Sequence, residues 1–248
     1  MVKIIGISGR KQAGKNTVAN YIHGSVLLHN KMIEDFFVNE EGQLAVKTAD
    51  TNSNYGYGIF DVTRKDDQFI QYAERELWPY IKIYHFADPL KEMCINLFNL
   101  NPKHVYGNND DKNSLTNLSW KDIPASNKTE GSPTVREFLE HFGTKIIRNI
   151  YHNAWSEYTI KKIVKEQSSI AVIPDVRFPN EIDAIKSHGG IVIRLTRNIY
   201  DSPSESESAL DQSKYDWSNF DHIIDNSQSS LDDLSNSLVK IQHLWGIQ

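Results

Sequence analysis

The chain has 248 residues, of which 39% are hydrophobic and 24% charged, and its formal net charge is −5. This composition predicts a globular protein with one domain, or with one domain that carries an insertion. The negative charge argues against a general binder of nucleic-acid backbones, which usually has a strong basic excess. No apolar stretch approaches the ~18 residues of a membrane helix, and the single cysteine, Cys94, excludes an intramolecular disulfide. We therefore expect a cytoplasmic protein without membrane segments.

The first part of the chain predicts a strand, a helix and an inserted segment. Residues 2–8 form a short apolar run, which predicts a buried strand, and a helical stripe of apolar residues follows. Gly24 is expected to end that helix. From residue 26 to residue 80 this pattern gives way to polar and aromatic residues with hairpin-like signals. We interpret residues 26–80 as an insertion.

After residue 80 the sequence alternates between strand and helix patterns. Strands are predicted at 81–87, 170–174, 191–195 and 222–225. Asp88 is expected to be the N-cap of a helix whose first residue is Pro89, and another helix is expected to start at Ser132 and Pro133. The polar stretch 101–131 predicts a long connection. Strands that alternate with helices predict a parallel sheet covered by helices on both faces.

The strongest functional signal is a glycine-rich segment between the first strand and the first helix. It has the sequence Gly9-Arg-Lys-Gln-Ala-Gly14-Lys15-Asn16-Thr17. The glycines let backbone N–H groups face one anion, the helix N-terminus adds about half a positive charge, and Lys15 can reach the phosphates of a nucleotide. We predict a phosphate-binding loop, with a glycine-rich turn and a surface lysine as the alternative interpretation.

A second segment, residues 173–181, is expected to complete the phosphate and metal site. It follows a predicted interior strand, and ligands of open α/β sheets bind at the carboxyl ends of strands. Arg177 could hold a phosphate there. Asn16 stands where the general loop motif has Ser or Thr for Mg²⁺, so we expect Asn16 and Asp175 to hold the metal largely through water. The alternative is an ordinary turn with an Asp–Arg pair.

The segments GxxxxGKxT, FADPLKE, SPTVREFLEHFGT and IPDVRFPNE, in this order, resemble the bacteriophage deoxynucleoside monophosphate kinases. The similarity covers about residues 1–25 and 84–245, and the insertion 26–80 has no counterpart in it. The resemblance implies a P-loop NTPase fold, with three α/β/α layers around a mainly parallel sheet. It also implies one kinase domain over residues 1–248 and the host cytoplasm as location. Because water must be excluded from phosphoryl transfer, we expect a lid at about 198–215 to close over the phosphates.

The resemblance further implies that ATP with Mg²⁺ phosphorylates a deoxynucleoside 5′-monophosphate, giving the diphosphate and ADP. The implied ATP-binding residues are Gly9, Lys11, Ala13, Gly14, Lys15, Asn16, Thr17 and Arg197. The implied acceptor-binding residues are Lys91, Lys112, Arg136, Gly143, Thr144, Asp175 and Arg177. Catalysis would depend on Lys15, Arg136, Asp175 and Arg177. For Lys91 the alternative is a solvated surface charge, and for Arg136 an ion pair with Glu140.

Two other functions are compatible with the same loop. The first is a P-loop kinase for another small molecule, such as dephospho-coenzyme A or phosphomevalonate. The second is a regulatory or DNA-remodelling ATPase, which the negative net charge disfavours. The expected partners are small-molecule nucleotides, with neither nucleic acid nor membrane among them. The insertion could carry a homodimer contact or extend the acceptor pocket.

Overall fold

The computed structural model describes residues 2–48, 56–199 and 205–247. The chain packs as two compact units: unit 1 comprises Met1–His85 with Ile160–Gln248, and unit 2 comprises Phe86–Thr159. The expectation of one kinase domain with an insertion and a lid stays a prediction. Within the described part of the chain, no helix combines the length and the apolar character needed to cross a bilayer.

Strands and helices alternate along most of the described chain. The strands are β1 (Lys3–Ser8), β2 (Asp35–Val38), β3 (Leu44–Lys47), β4 (Tyr57–Ile59), β5 (Ile81–Ile83), β6 (Ile170–Val176), β7 (Ile191–Leu195) and β8 (His222–Ile224). The α-helices are α1 (Lys15–His29), α2 (Asp67–Glu76), α3 (Asp88–Phe98), α4 (Pro102–Tyr106), α5 (Asn109–Lys112), α6 (Val135–Glu140), α7 (Arg148–Ile150), α8 (Ala154–Glu166), α9 (Pro179–Lys186), α10 (Glu205–Ser208) and α11 (Leu231–Ile241). A π-helix, His141–Ile147, joins α6 to α7.

Unit 1 is built on a five-stranded parallel sheet with the order β5-β6-β1-β7-β8. Ile5 of the central strand β1 packs in one cluster with Val18 of α1 and Leu234 of α11. Gly6, the next residue, points to the opposite face and lies against Ile185 of α9. Helices therefore cover both faces of the sheet. The predicted α/β/α layering and the mainly parallel sheet are confirmed.

Helix α1 continues beyond Gly24, so the prediction that this glycine ends the helix is wrong. A Cβ atom on Gly24 would lie 2.3 Å from the Phe36 ring and 2.8 Å from the Leu44 side chain. The glycine therefore allows β2 and β3 to approach the middle of the helix. A glycine inside a helix costs only about 1 kcal/mol relative to alanine, which the packing of these strands can offset.

The segment predicted as an insertion forms a second, antiparallel sheet with the order β2-β3-β4. This sheet confirms the hairpin-like signals in the sequence. It is attached to α1, because the Asn20 amide donates a hydrogen bond of 2.7 Å to the Gly42 carbonyl in the turn between β2 and β3. Tyr21 of α1 also packs edge-to-face on Phe36, with ring centroids 5.5 Å apart. The segment predicted as an insertion is therefore an integral part of unit 1.

Unit 2 is helical and has its own core. Cys94 and Val105 are fully buried there, and the rings of Phe98 and Phe138 meet edge-to-face at 5.0 Å. Burial raises the pKa of the Cys94 thiol to about 12, so this cysteine is inert at neutral pH. Its neighbours identify Cys94 as a core residue.

Helix boundaries in unit 2 differ from the predicted ones. Within the predicted connection 101–131, α4 and α5 form because Asn101 and Asn108 cap their first turns. Hydrophobic periodicity does not reveal such short polar helices. The helix expected at Ser132 and Pro133 begins only after Thr134, which forms a capping box with Glu137. The first residue of α3 is Asp88 itself, so its predicted role as the N-cap is wrong by one residue.

Candidate active site

The glycine-rich loop lies at the carboxyl end of β1, the central strand of the sheet in unit 1, and it leads into α1. Gly14 occupies the position before the helix with φ of 93°, a left-handed conformation that glycine adopts without strain. This conformation lets the loop close over the N-terminus of α1, where backbone N–H groups have no intrahelical partner. The predicted strand–loop–helix arrangement is therefore present, and it is suited to binding an anion.

Lys15 is folded back across this loop. Its Nζ donates hydrogen bonds of 2.7 Å to the carbonyls of Gly9 and of Arg10, and the residue is only 9% exposed. Burial lowers the pKa of the Lys15 ammonium to about 7; the positive charges of Arg177 and Arg194 act in the same direction, whereas Asp175 opposes them. A lysine with this pKa is poised to gain a proton when an anion arrives.

Asp175 and Arg177 lie at the carboxyl end of β6, the strand beside β1. The turn after β6 is held by Glu181, whose carboxylate accepts hydrogen bonds from the backbone N–H groups of Arg177 (2.7 Å) and Phe178 (3.1 Å). Ser8, the last residue of β1, pairs with Val176 of β6, so Asp175 and Arg177 flank the point where the loop begins. The structure thus brings these two predicted site residues to the loop.

Arg197 follows β7 and contacts the segment after β8 that holds the loop. Its guanidinium donates to the carbonyls of Asn226 (3.1 Å) and Ser229 (2.5 Å). Asn226 is fully buried and donates a hydrogen bond of 2.8 Å to the Ala13 carbonyl inside the loop. Arg197 is therefore linked to the loop through Asn226, a residue that the sequence reasoning missed. Its only signal in the sequence is its position just after the strand β8.

Arg194 is a second residue that the sequence reasoning missed. It lies on β7, is 5% exposed, donates a hydrogen bond of 2.9 Å to the Ser8 hydroxyl and stacks 5.0 Å from the centre of the Trp217 ring. Burial lowers the pKa of the Arg194 guanidinium to about 10, and the carboxylate of Asp211 opposes this shift. Arg194 is therefore a buried positive charge beside the loop. An arginine inside the apolar run IVIRL was the available signal.

Two carboxylates of the predicted lid contact the loop. Glu207 accepts a hydrogen bond of 2.6 Å from the Lys11 N–H and forms an ion pair with Arg177. Asp211 accepts two hydrogen bonds, of 3.1 and 2.5 Å, from the guanidinium of Arg10. Residues 200–204 of the predicted lid lie outside the described residues. No pattern in the sequence predicted a role for Glu207 or for Asp211.

Residues of the segment predicted as an insertion line a cavity of about 260 Å³ that also borders Asn16 of the glycine-rich segment. Asn16 and Asn20 of α1 form one side, residues 59–63 form another, and His85 and Pro174 line it near the ends of β5 and β6. Thr17, also on α1, is half-buried. The segment between α1 and β5 therefore shapes the surroundings of the loop.

The oxygen atoms near the loop are suited to Mg²⁺. Mg²⁺ prefers carboxylate and carbonyl oxygens, and it usually takes one or two protein ligands together with phosphates and water. Asp175 supplies a carboxylate at the end of β6, the strand that pairs with β1, and Asn16 supplies an amide oxygen at the start of α1. Over residues 2–48, 56–199 and 205–247, no group of three or more His, Cys, Asp or Glu side chains could hold a metal by itself. The donor set therefore fits a metal that arrives with phosphate.

The remaining predicted residues lie in unit 2. Arg136 of α6 donates hydrogen bonds of 2.8 Å to Asn109 and 3.4 Å to Asn113. Asn109 is the first residue of α5, the short helix that contains Lys112, and Asn113 caps its C-terminus. Arg136 thus links α6 to α5, and its predicted contact with the acceptor stays a prediction. Arg136 is therefore anchored beside the Lys112 helix.

Lys91 and Gly143 lie on two packed elements of unit 2. Lys91 of α3 is 3.5 Å from Asp88 and 4.8 Å from the centre of the Tyr106 ring. Its neighbour Leu90 packs on Gly143, which lies with Thr144 in the π-helix. Single π-helical turns occur frequently at functional sites. Lys91 and Arg136 are both partly exposed, so a ligand can reach them from solvent.

Comparison with known proteins identifies the family of this chain. A protein of Acanthamoeba polyphaga mimivirus, provisionally named a deoxynucleotide monophosphate kinase, is 31% identical over 113 residues. That match covers 45% of this chain and 58% of the mimivirus protein, less than two thirds of its length. The family model for deoxynucleotide monophosphate kinase matches residues 3–238, a range that includes the glycine-rich loop, Lys91, Arg136 and Arg177. The chain therefore belongs to the deoxynucleotide monophosphate kinase family.

Proposed function

We propose that this protein transfers the γ-phosphoryl group of ATP to a deoxynucleoside 5′-monophosphate, forming ADP and the deoxynucleoside diphosphate. The observation that carries the proposal is the buried Lys15 at the start of α1, which donates to two carbonyls of the loop, while Asp175 and Arg177 flank the residue paired with Ser8. This is the arrangement that positions a nucleotide phosphate and neutralises its charge. Family membership supplies the class of acceptor.

Residues of unit 1 would act on the donor. The loop from Gly9 to Thr17 would bind the phosphates of ATP through its N–H groups, and Lys15 would neutralise the transferring phosphate. Asn16 and Asp175 would hold Mg²⁺ through water, and the metal would neutralise charge on the phosphate oxygens. Arg177 would stabilise the charge that develops in the transition state. Arg197 would keep the loop in place through Asn226.

Residues of unit 2 would act on the acceptor, with Lys91, Lys112 and Arg136 providing positive charge for its phosphate. A nucleotide phosphate with a second pKa near ~6 is already largely ionised at pH 7, so the reaction needs no base to remove a proton. What it needs is compensation of charge between two polyanions. This requirement accounts for clusters of cations in a protein whose net charge is −5.

The test is a coupled assay of ADP release with ATP, Mg²⁺ and each common deoxynucleoside monophosphate. ADP formation is expected to depend on at least one of these acceptors. ADP formation with dephospho-coenzyme A or phosphomevalonate, but with no deoxynucleoside monophosphate, would show that the acceptor class is wrong. Hydrolysis of ATP that only DNA or protein stimulates would contradict the kinase proposal.

Replacing Arg136 by alanine is expected to weaken use of the acceptor. The change removes a guanidinium that can hold a phosphate with two hydrogen bonds, and loss of such charge-assisted bonds lowers affinity by about 10- to 100-fold. Steady-state kinetics should therefore show a higher KM for the acceptor, while the KM for ATP changes little. Lys103→Ala, which removes an exposed charge from α4 in the same unit, is the control. An unaltered acceptor KM and kcat in Arg136→Ala would remove Arg136 from the acceptor site.

Binding of ATP is expected to take up a proton at alkaline pH. The Lys15 ammonium has a pKa of about 7 in the ligand-free protein, so the amine is mostly neutral at pH 8, and a bound phosphate favours its charged form. Affinity for ATP should therefore fall as the pH rises above about 7. Titration calorimetry in two buffers with different ionisation enthalpies measures the uptake. Lys15→Arg stays charged at all these pH values; equal uptake in this variant would exclude Lys15 as the source.

A further inference from the structure

The carboxylate of Glu207 occupies a position that is suited to a phosphate. One of its oxygens accepts a hydrogen bond of 2.6 Å from the Lys11 N–H of the loop, and the other forms an ion pair with Arg177. Loop N–H groups and arginine guanidinium groups are the two kinds of donor that commonly bind phosphate oxygens. Glu207 therefore satisfies, from within the protein, donors that the proposed function assigns to the nucleotide.

The Glu207 side chain is 10% exposed, and that of its partner Arg177 is 31% exposed. A carboxylate this buried is rarely found without a charged or hydrogen-bonding partner, because its charge loses hydration. A phosphate cannot share the Lys11 N–H and the Arg177 guanidinium with Glu207, because the two negative charges would repel each other. A phosphate can use the Lys11 N–H and Arg177 only after Glu207 has moved away.

The same segment is attached to the loop at a second point. Asp211 holds Arg10 with two hydrogen bonds, and one of its oxygens lies 3.9 Å from a guanidinium nitrogen of Arg194. The two carboxylates thus offset part of the positive charge gathered around the loop. In the absence of phosphate, that charge would otherwise destabilise the folded protein by mutual repulsion.

We propose that Glu207 is an internal anion that nucleotide must displace, and that it thereby sets the affinity of the loop for the phosphates of the donor. The inference rests on the proposed function in taking this loop as the donor site. The measured Kd equals the intrinsic Kd divided by the fraction of molecules in which the carboxylate has left. Weakening the hold of Glu207 should raise that fraction, and it should also remove a stabilising contact from the ligand-free protein.

The test uses inorganic tripolyphosphate, which carries the phosphates of the donor without its nucleoside. Titration calorimetry should show that Glu207→Gln and Glu207→Ala bind tripolyphosphate about tenfold more tightly than the unmodified protein. Both variants should also have a lower melting temperature when ligand-free. Glu205→Gln removes the same charge from an exposed position of the same helix, and its affinity should match that of the unmodified protein.

The combination of tighter binding and lower stability distinguishes this proposal from a purely structural role. If Glu207 only supported the fold, the variants would melt earlier and bind tripolyphosphate equally or less tightly, and that result would overturn the proposal. ADP formation with deoxynucleoside monophosphates is measured separately. Tighter tripolyphosphate binding without any kinase activity would support the role of Glu207 and refute the proposed function. Kinase activity with unchanged tripolyphosphate binding would support the proposed function and refute the role of Glu207.

Discussion

Lys15→Ala is expected to lower kcat by about 10²- to 10³-fold, the loss seen when one donor to the transition state is removed. Lys15 lies inside the loop and already donates to two of its carbonyls, so a small movement of Nζ would place it on a phosphate. The neutral alanine can neither bind the phosphate nor offset its charge. The coupled ADP-release assay at saturating ATP and acceptor measures the change.

The fold should survive the loss of Lys15. Burial disfavours the charged amine, as its pKa of about 7 indicates, so removing that amine relieves a cost of desolvation. The melting temperature of Lys15→Ala should therefore stay within a few degrees of that of the unmodified protein. Lys240→Ala, which removes an exposed lysine from α11, is expected to retain full activity. Near-normal turnover by folded Lys15→Ala would mean that the loop is not the donor site.

Arg177→Ala is expected to lower kcat by about 10³-fold. An arginine placed on the charge of a phosphoryl-transfer transition state contributes about 10³ to 10⁵ in rate, and Arg177 is close enough to Lys15 to lower its pKa. Its backbone is held rigidly by Glu181, so the side chain starts from a defined position. Pre-steady-state measurement of the chemical step separates this effect from product release.

Arg177→Lys distinguishes charge from geometry. Lysine keeps the positive charge but cannot form two parallel hydrogen bonds, so it should recover only a small part of the lost rate. Arg75→Ala, on the exposed surface of α2, serves as the control. If Arg177 only held Glu207 in place, Arg177→Ala would keep its kcat and bind ATP more tightly. Such a result would mean that Arg177 acts only in the ligand-free protein, by holding Glu207, and takes no part in catalysis.

Local sequence accounted for much of the architecture. The apolar strand β1, the glycine-rich turn and the stripe of α1 are contiguous, and their spacing alone predicted the loop. The predicted helix boundaries were wrong where segments distant in the sequence pack together. Gly24 fails to end α1 because Phe36 and Leu44 pack over it, and no local pattern contains that information. The short helices after residue 101 are stabilised by caps and carry too few apolar residues to show a period.

The sequence by itself determined that a phosphate loop follows the first strand and that strands alternate with helices. It also contains, in the expected order, the four segments that resemble the kinase family. Only the tertiary structure decided which charges surround the loop. Asn226 lies 213 positions from Ala13, and Glu207 lies 196 positions from Lys11. They meet because the parallel sheet places β1 between β6 and β7, so that segments far apart in the chain end at one edge. Hydrogen bonds and ion pairs of this kind have no sequence period, whereas buried strands and helices do.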